Sequence, residues 1–172
     1  DGYNDNTIVF RLTADNVFPD GDLLDELQNY FIKNKSNYLQ CHDADSGLPT
    51  GLSAEIMLLR SLRHANTKTN LSYDLEHVTP YIRRVHGENL YIKYLNLNLG
   101  NYRATIDTFE DYIDVQKAFQ GVEDPVNIKW MNLVENLKTI QLNVFAKKPI
   151  TSLVLGGAQF GMEYGINNSH GM

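Results

Sequence analysis

Two aspartates stand where an α/β protein can use them. Asp15 closes the run Arg11-Leu12-Thr13-Ala14-Asp15 and Asp107 closes Arg103-Ala104-Thr105-Ile106-Asp107, each directly after a strand-like segment. Ligands of open α/β sheets gather at the carboxyl ends of strands, so two carboxylates there can share one hard cation. Magnesium suits the pair: it takes one or two carboxylates, several waters and the oxygens of a bound phosphate. Held so, it polarises a nucleotide's α-phosphate. The alternative is that each Asp caps a turn, and spacing alone does not choose. Asp43-Ala44-Asp45 offers another place for a metal, the Asp-x-Asp pattern of sugar-nucleotide glycosyltransferases, although a polar surface loop has the same composition. The glycines of Gly156-Gly157-Ala158-Gln159-Phe160-Gly161 fit neither common phosphate loop. A Walker loop requires Lys and Ser/Thr where Met162 and Glu163 stand, and a Rossmann fingerprint requires Gly where Ala158 stands.

These residues need a scaffold, and 172 residues with 42% hydrophobic content can bury a core. Strand and helix signals alternate, which favours helices packed on a sheet. A strand is expected over 7–13, then a helix over 21–34 on Leu23, Leu24, Leu27, Tyr30 and Phe31, with Asp20 as N-cap. A strand follows near 38–42 and a loop over 43–49. Helices are expected over 54–66 and 75–85, the second starting near Thr79 because Pro80 is tolerated only in a first turn. Strands are expected over 90–99 and 103–107. Thr108 is placed to cap a helix from Phe109 to about Gln120, and a last helix covers 127–140. Residues 143–150 read as a linker, and a fresh strand begins at Thr151. Both ends of the chain read as cut from something larger.

Composition excludes some partners. The net charge of −6 and the scattered basic residues argue against nucleic acid. No apolar run approaches the length of a membrane span, and Asp1-Gly2-Tyr3-Asn4 lacks the features of a signal peptide, so a cytoplasmic location is expected. The one cysteine, Cys41, has no partner for a disulfide or a zinc site and is expected in the core. The ten Tyr and seven Phe lie mostly at core spacing.

From Tyr3 to about Phe119 the chain resembles the spore coat polysaccharide biosynthesis branch of the cytidylyltransferases, relatives of the acylneuraminate and 3-deoxy-manno-octulosonate cytidylyltransferases. The resemblance rests on four segments in order: Arg11 to Asn16, Leu48 to Glu55, Glu76 to Arg83, and Arg103 to Asp111. It implies an α/β fold, part of a Rossmann-like nucleotidyltransferase mixed sheet with flanking helices. It further implies Mg2+ held by Asp15 and Asp107, and attack by a sugar hydroxyl on the α-phosphate of CTP with release of pyrophosphate. Asn16, Glu55 and His77 fall at positions expected to serve the substrate; for His77 a capping role is the alternative. The segment Glu76 to Arg83 precedes a region that makes dimers in the family, so a homodimer is expected.

The chain departs from the family at Val17, Pro19, Thr50, Ser53 and Leu75, which removes charge near the expected sugar site. The family's glycine- and arginine-containing phosphate loop has no counterpart here, so the 172 residues alone are expected not to bind CTP productively. The rival expectation is a catalytically degenerate dimerisation module. Finally, Leu153 to Asn168 resembles the opening of aldo/keto reductases, NADPH-dependent barrels whose catalytic residues would lie beyond Met172. The expected organisation is therefore 1–142 cytidylyltransferase-like, 143–150 linker and 151–172 reductase start.

Overall fold

A computed structural model of the chain describes residues 2–18 and 20–142. The expected linker, the expected reductase start and the departure at Pro19 lie outside the described residues. The elements run β1 (Ile8–Arg11), α1 (Gly21–Lys33), β2 (Tyr38–Cys41), the single turn α2 (Asp43–Ser46), β3 (Ala54–Leu58), α3 (Leu59–Lys68), α4 (Ser72–His77), α5 (Pro80–His86), a 3-10 turn (Leu95–Leu97), α6 (Phe109–Ala118) and α7 (Trp130–Leu142). This is the expected α/β class with helices flanking a sheet. The three strands are antiparallel in the order β1-β3-β2, and among the described residues parallel pairing is confined to the isolated bridges Gln40 with Leu90 and Thr50 with Arg103.

The helix expected over 54–66 is corrected to a strand followed by a helix. Ile56, Leu59 and Leu62 do recur at helical spacing, but Ala54–Leu58 lies between β1 and β2 and exchanges ladder bonds with both. Packing on both of its faces makes the stretch Ile56-Met57-Leu58 a short apolar run without alternation, which periodicity alone does not tell from a helix. The helix expected over 75–85 is two helices, separated at Val78, and the second starts at Pro80 as its chemistry requires. Residues 90–99 and 103–107 are not strands. The first touches β2 through the isolated bridge Gln40 with Leu90, and the second touches loops through two, Thr50 with Arg103 and Asn16 with Thr105.

Side chains opposite one another on neighbouring strands share a face, and the register therefore sorts the sheet. One face carries Ile8, Phe10, Leu39, Cys41, Ala54, Ile56 and Leu58, and all join a core with Leu23, Leu27 and Phe31 of α1 and Leu133, Val134 and Leu137 of α7. Cys41 is buried there, and burial pushes its thiol up to about 11, which keeps it unreactive. The opposite face carries Val9, Met57 and Tyr38 at one end, packed on Leu62, Ala65, Tyr81 and Ile82 of α3 and α5. At its other end the row is polar: Arg11, Glu55 and Gln40.

Two devices hold the connections. Asp20 caps α1 as expected, its Oδ1 accepting from the backbone N–H groups of Asp22 (2.8 Å) and Leu23 (3.2 Å), and its Oδ2 also accepts from the first N–H of α7, at Trp130 (2.8 Å). Gly51 has φ +94°, and a Cβ there would meet the backbone of Ala104 and Thr105 at 2.7 Å. Only glycine lets the 104–106 segment lie this close.

Candidate functional site

The polar end of the second face opens into a cavity of about 240 Å³. Arg11 and Thr13 reach it from the end of β1, His42 from the end of β2, and Ser53 and Glu55 from the start of β3. Asn16 enters from the loop after β1, and His77, Thr79 and Arg83 from α4, α5 and the turn joining them. The cavity thus lies at the carboxyl ends of β1 and β2, where an α/β sheet presents ligand groups. The structure brings Asn16, Glu55 and His77 together from three segments that are far apart in sequence.

Glu55 is the anchored carboxylate of the site. Its Oε2 accepts from Arg11 Nη1 at 2.7 Å, its Oε1 accepts from the Tyr38 hydroxyl, and its side chain is 14% exposed. Asn16 donates from Nδ2 to Ser53 Oγ at 3.1 Å, so the serine at one of the departures still shapes the pocket. Thr50 and Val17 also have structural work: Thr50 exchanges backbone bonds with Tyr102 and Ala104, and Val17 packs on the main core. Leu75 is exposed on α4 and does not line the cavity.

His77 ends α4, its ring 4.4 Å from that of Tyr73, and it does not cap a helix through its side chain. The backbone beside it is strained. Val78 has φ +69° and ψ −50°, and Thr79 N donates to His77 O at 2.8 Å, which defines a γ-turn of the rare hand. A β-branched residue held in this conformation costs on the order of 1–3 kcal/mol, and such strain concentrates at ligand sites.

Charge in the cavity is unbalanced. Among the described residues that line it, the guanidinium groups of Arg11 and Arg83 face one carboxylate, Glu55, which Arg11 already engages. Arg83 is half-buried and makes no side-chain hydrogen bond or ion pair among the described residues. A guanidinium taken partly out of water calls for an acceptor, and an anionic group on a ligand supplies one. Arg11 and Arg83 end or open segments that sequence reading singles out, but their convergence depends on strand register and on the helix break at Val78. Tyr38 is missed for a simpler reason, because a fully buried tyrosine looks like core.

Asp15 and Asp107 lie apart from this cavity, which neither lines. Their backbones are neighbours: Ile106 N donates to Asp15 O at 3.1 Å, and Asn16 bridges Thr105. Asp107 Oδ2 accepts from Arg103 Nη2 at 2.6 Å and the side chain is half exposed. Just after it, Thr108 and Asp111 form the capping box that starts α6. Partial burial alone would raise the Asp111 carboxyl, but hydrogen bonds from Thr108 and the Asp107 backbone, with Arg103 nearby, hold it below its ordinary value. No group of three or more His, Cys, Asp or Glu side chains with metal-holding geometry occurs among the described residues. Asp45 of the Asp-x-Asp pattern is exposed on the single turn α2.

The same arrangement of strands and helices occurs in a solved structure of a cytidylyltransferase from Leptospira borgpetersenii serovar Hardjo-bovis, with a TM-score of 0.69 over 84% of this chain and 61% of that one, at 23% identity. The fold is that of a cytidylyltransferase. Two curated sequences are also similar. An uncharacterised protein of Methanocaldococcus jannaschii is 30% identical over 150 residues, 81% of this chain and 59% of that protein. The spore coat polysaccharide biosynthesis protein SpsF of Bacillus subtilis is 29% identical over 133 residues, 74% of this chain and 53% of SpsF. The chain thus spans between half and two thirds of the length of these relatives. No family model matches it. Among the described residues no helix is long and apolar enough to cross a membrane.

Proposed function

We propose that residues 1–142 are the sugar-binding portion of a magnesium-dependent cytidylyltransferase, which joins a sugar to CTP in the cytoplasm and releases pyrophosphate, for surface or spore coat polysaccharide synthesis. The observation that carries this reading is the convergence of Asn16, Glu55 and His77 on one cavity at the carboxyl ends of β1 and β2. The likeness to SpsF and to the Leptospira cytidylyltransferase supports it.

In this reading the sugar occupies the cavity. Glu55, fixed by Arg11 and Tyr38, accepts from sugar hydroxyls, and Asn16 sets the position of the pocket wall through Ser53. Arg83 and His77 face an anionic group, which favours an acidic sugar. Asp15 and Asp107 fit magnesium by donor chemistry, since they are hard carboxylates on adjacent backbones, and Arg103 shares Asp107 with it. The ion would supply charge stabilisation at the α-phosphate. Asp15→Asn or Asp107→Asn in the full-length protein is expected to lower CTP-dependent pyrophosphate release by about 100-fold or more, the usual scale for removing a key electrostatic group. Wild-type turnover in either variant overturns the assignment.

A second reading is favoured by α4. Leu71 just before this helix, Leu75 on it and Val78 just after it are 61%, 55% and 39% exposed, an apolar surface that a second copy of the chain can cover. In this reading the domain is a homodimerisation module without catalysis. Sedimentation of the protein with and without Leu75→Glu, alongside CTP binding, separates the two: a dimer lost in Leu75→Glu with no CTP bound by the full-length wild type favours the module.

A further inference from the structure

We propose that Tyr38 is a positioning residue of the cavity, whose hydroxyl fixes the Glu55 carboxylate. The proposal rests on the reading of the cavity as a sugar site.

Tyr38 is completely buried on β2 and does not itself line the cavity, so it can act on a ligand only through its neighbours. Its hydroxyl meets two side chains, the Glu55 carboxylate and Gln40 at 3.0 Å. A phenol has one proton to give. Glu55, paired with Arg11, is a carboxylate and can only accept, so that proton is committed to Glu55. Gln40 Oε1, at 3.0 Å, is a second acceptor within reach of that one proton, and the charged carboxylate is the stronger of the two. Burial, and after it the negative charge of Glu55, push the hydroxyl far above its usual range, so it remains a donor at any working pH.

The result is a carboxylate held at both ends, by the Tyr38 hydroxyl on Oε1 and by Arg11 on Oε2. Each oxygen keeps a lone pair for a ligand in the cavity that Glu55 lines.

Tyr38→Phe keeps the ring and removes only the hydroxyl. With N-acetylneuraminate as an acidic-sugar probe and calorimetry on the full chain, Tyr38→Phe is expected to bind about tenfold more weakly than wild type. Glu55→Gln is expected to weaken binding as well, and the double variant is expected to be no weaker than Glu55→Gln within about twofold, because one link is lost in both. Unaltered binding in Tyr38→Phe, or losses that simply add, overturns the proposal. If the wild type binds none of this probe, the acidic-sugar reading fails, and the positioning role is decided without ligand. In proton NMR the Tyr38 hydroxyl is expected as a solvent-protected downfield resonance that is absent in Tyr38→Phe and moves upfield in Glu55→Gln. A hydroxyl that exchanges freely, or that is indifferent to Glu55→Gln, overturns the link.

Discussion

The two faces of the sheet are built from the same three strands and do opposite things. On one face every inward residue is apolar, and helices α1 and α7 seal it. On the other, apolar packing covers only half, and the rest is the row Arg11, Glu55 and Gln40 beside a cavity. Ile56 and Glu55 are consecutive yet belong to different faces. The difference teaches that stability and binding are separable here to within one residue, since a strand sends neighbouring side chains to opposite sides.

Four experiments break or sharpen this division. Ile56→Ala strikes the sealed face and is expected to cost about 3 kcal/mol of stability, within the range for a buried Ile truncation. Glu55→Gln, one residue away, is expected to cost no more than about 1 kcal/mol while impairing ligand binding. Urea unfolding of both variants checks the contrast, and equal losses would end the idea of two separable faces. Next, Gly51→Ala forces a methyl against backbone at 2.7 Å in a conformation that L-residues avoid, and should cost about 2 kcal/mol or more. It should also displace the 104–106 segment, read as lost protection of the Ala104 and Ile106 amides in hydrogen exchange.

Asp20→Ala removes the cap of α1 and the bond to the first N–H of α7 together, with an expected cost of about 2 kcal/mol. A loss near that of one ordinary cap, about 1 kcal/mol, would mean that the α7 contact contributes little.

The smallest effect is one of pH, on the less sealed face. His86 of α5 bonds Ser61 of α3 at 3.2 Å, and its imidazole is held below the ordinary 6.5, first by burial and then by His64 and Arg60. A histidine whose folded value is depressed binds its proton more readily when unfolded. Its contribution to stability is therefore complete above about 6.5 and is lost as the pH falls below that value. Urea midpoints at pH 5 and 7.5 should differ more for the wild type than for His86→Gln.

Much of this was legible in the sequence, for local reasons. The helix over Gly21–Lys33 with Asp20 as its cap, the Thr108 cap of α6 and the start of α5 at Pro80 are set by residues within one turn of each other. The same sequence misleads at 54–66, where Ile56, Leu59 and Leu62 have helical spacing, because pairing with two distant strands overrides local preference. It misleads again at 90–107, where extended segments lack the partners that would make them strands.

Asn16, Glu55 and His77 could be singled out from motifs, but nothing in the motifs tells that Arg11 neutralises Glu55, that Arg83 has no anion among the described residues, or that Tyr38 stands behind Glu55. By itself the sequence determined the residue types available for chemistry and the ends of helices, since these depend on composition and on contacts a few residues long. Tertiary structure alone decided which face each strand residue serves and which charges meet, because register and the turn at Val78 arise from bonds between segments tens of residues apart.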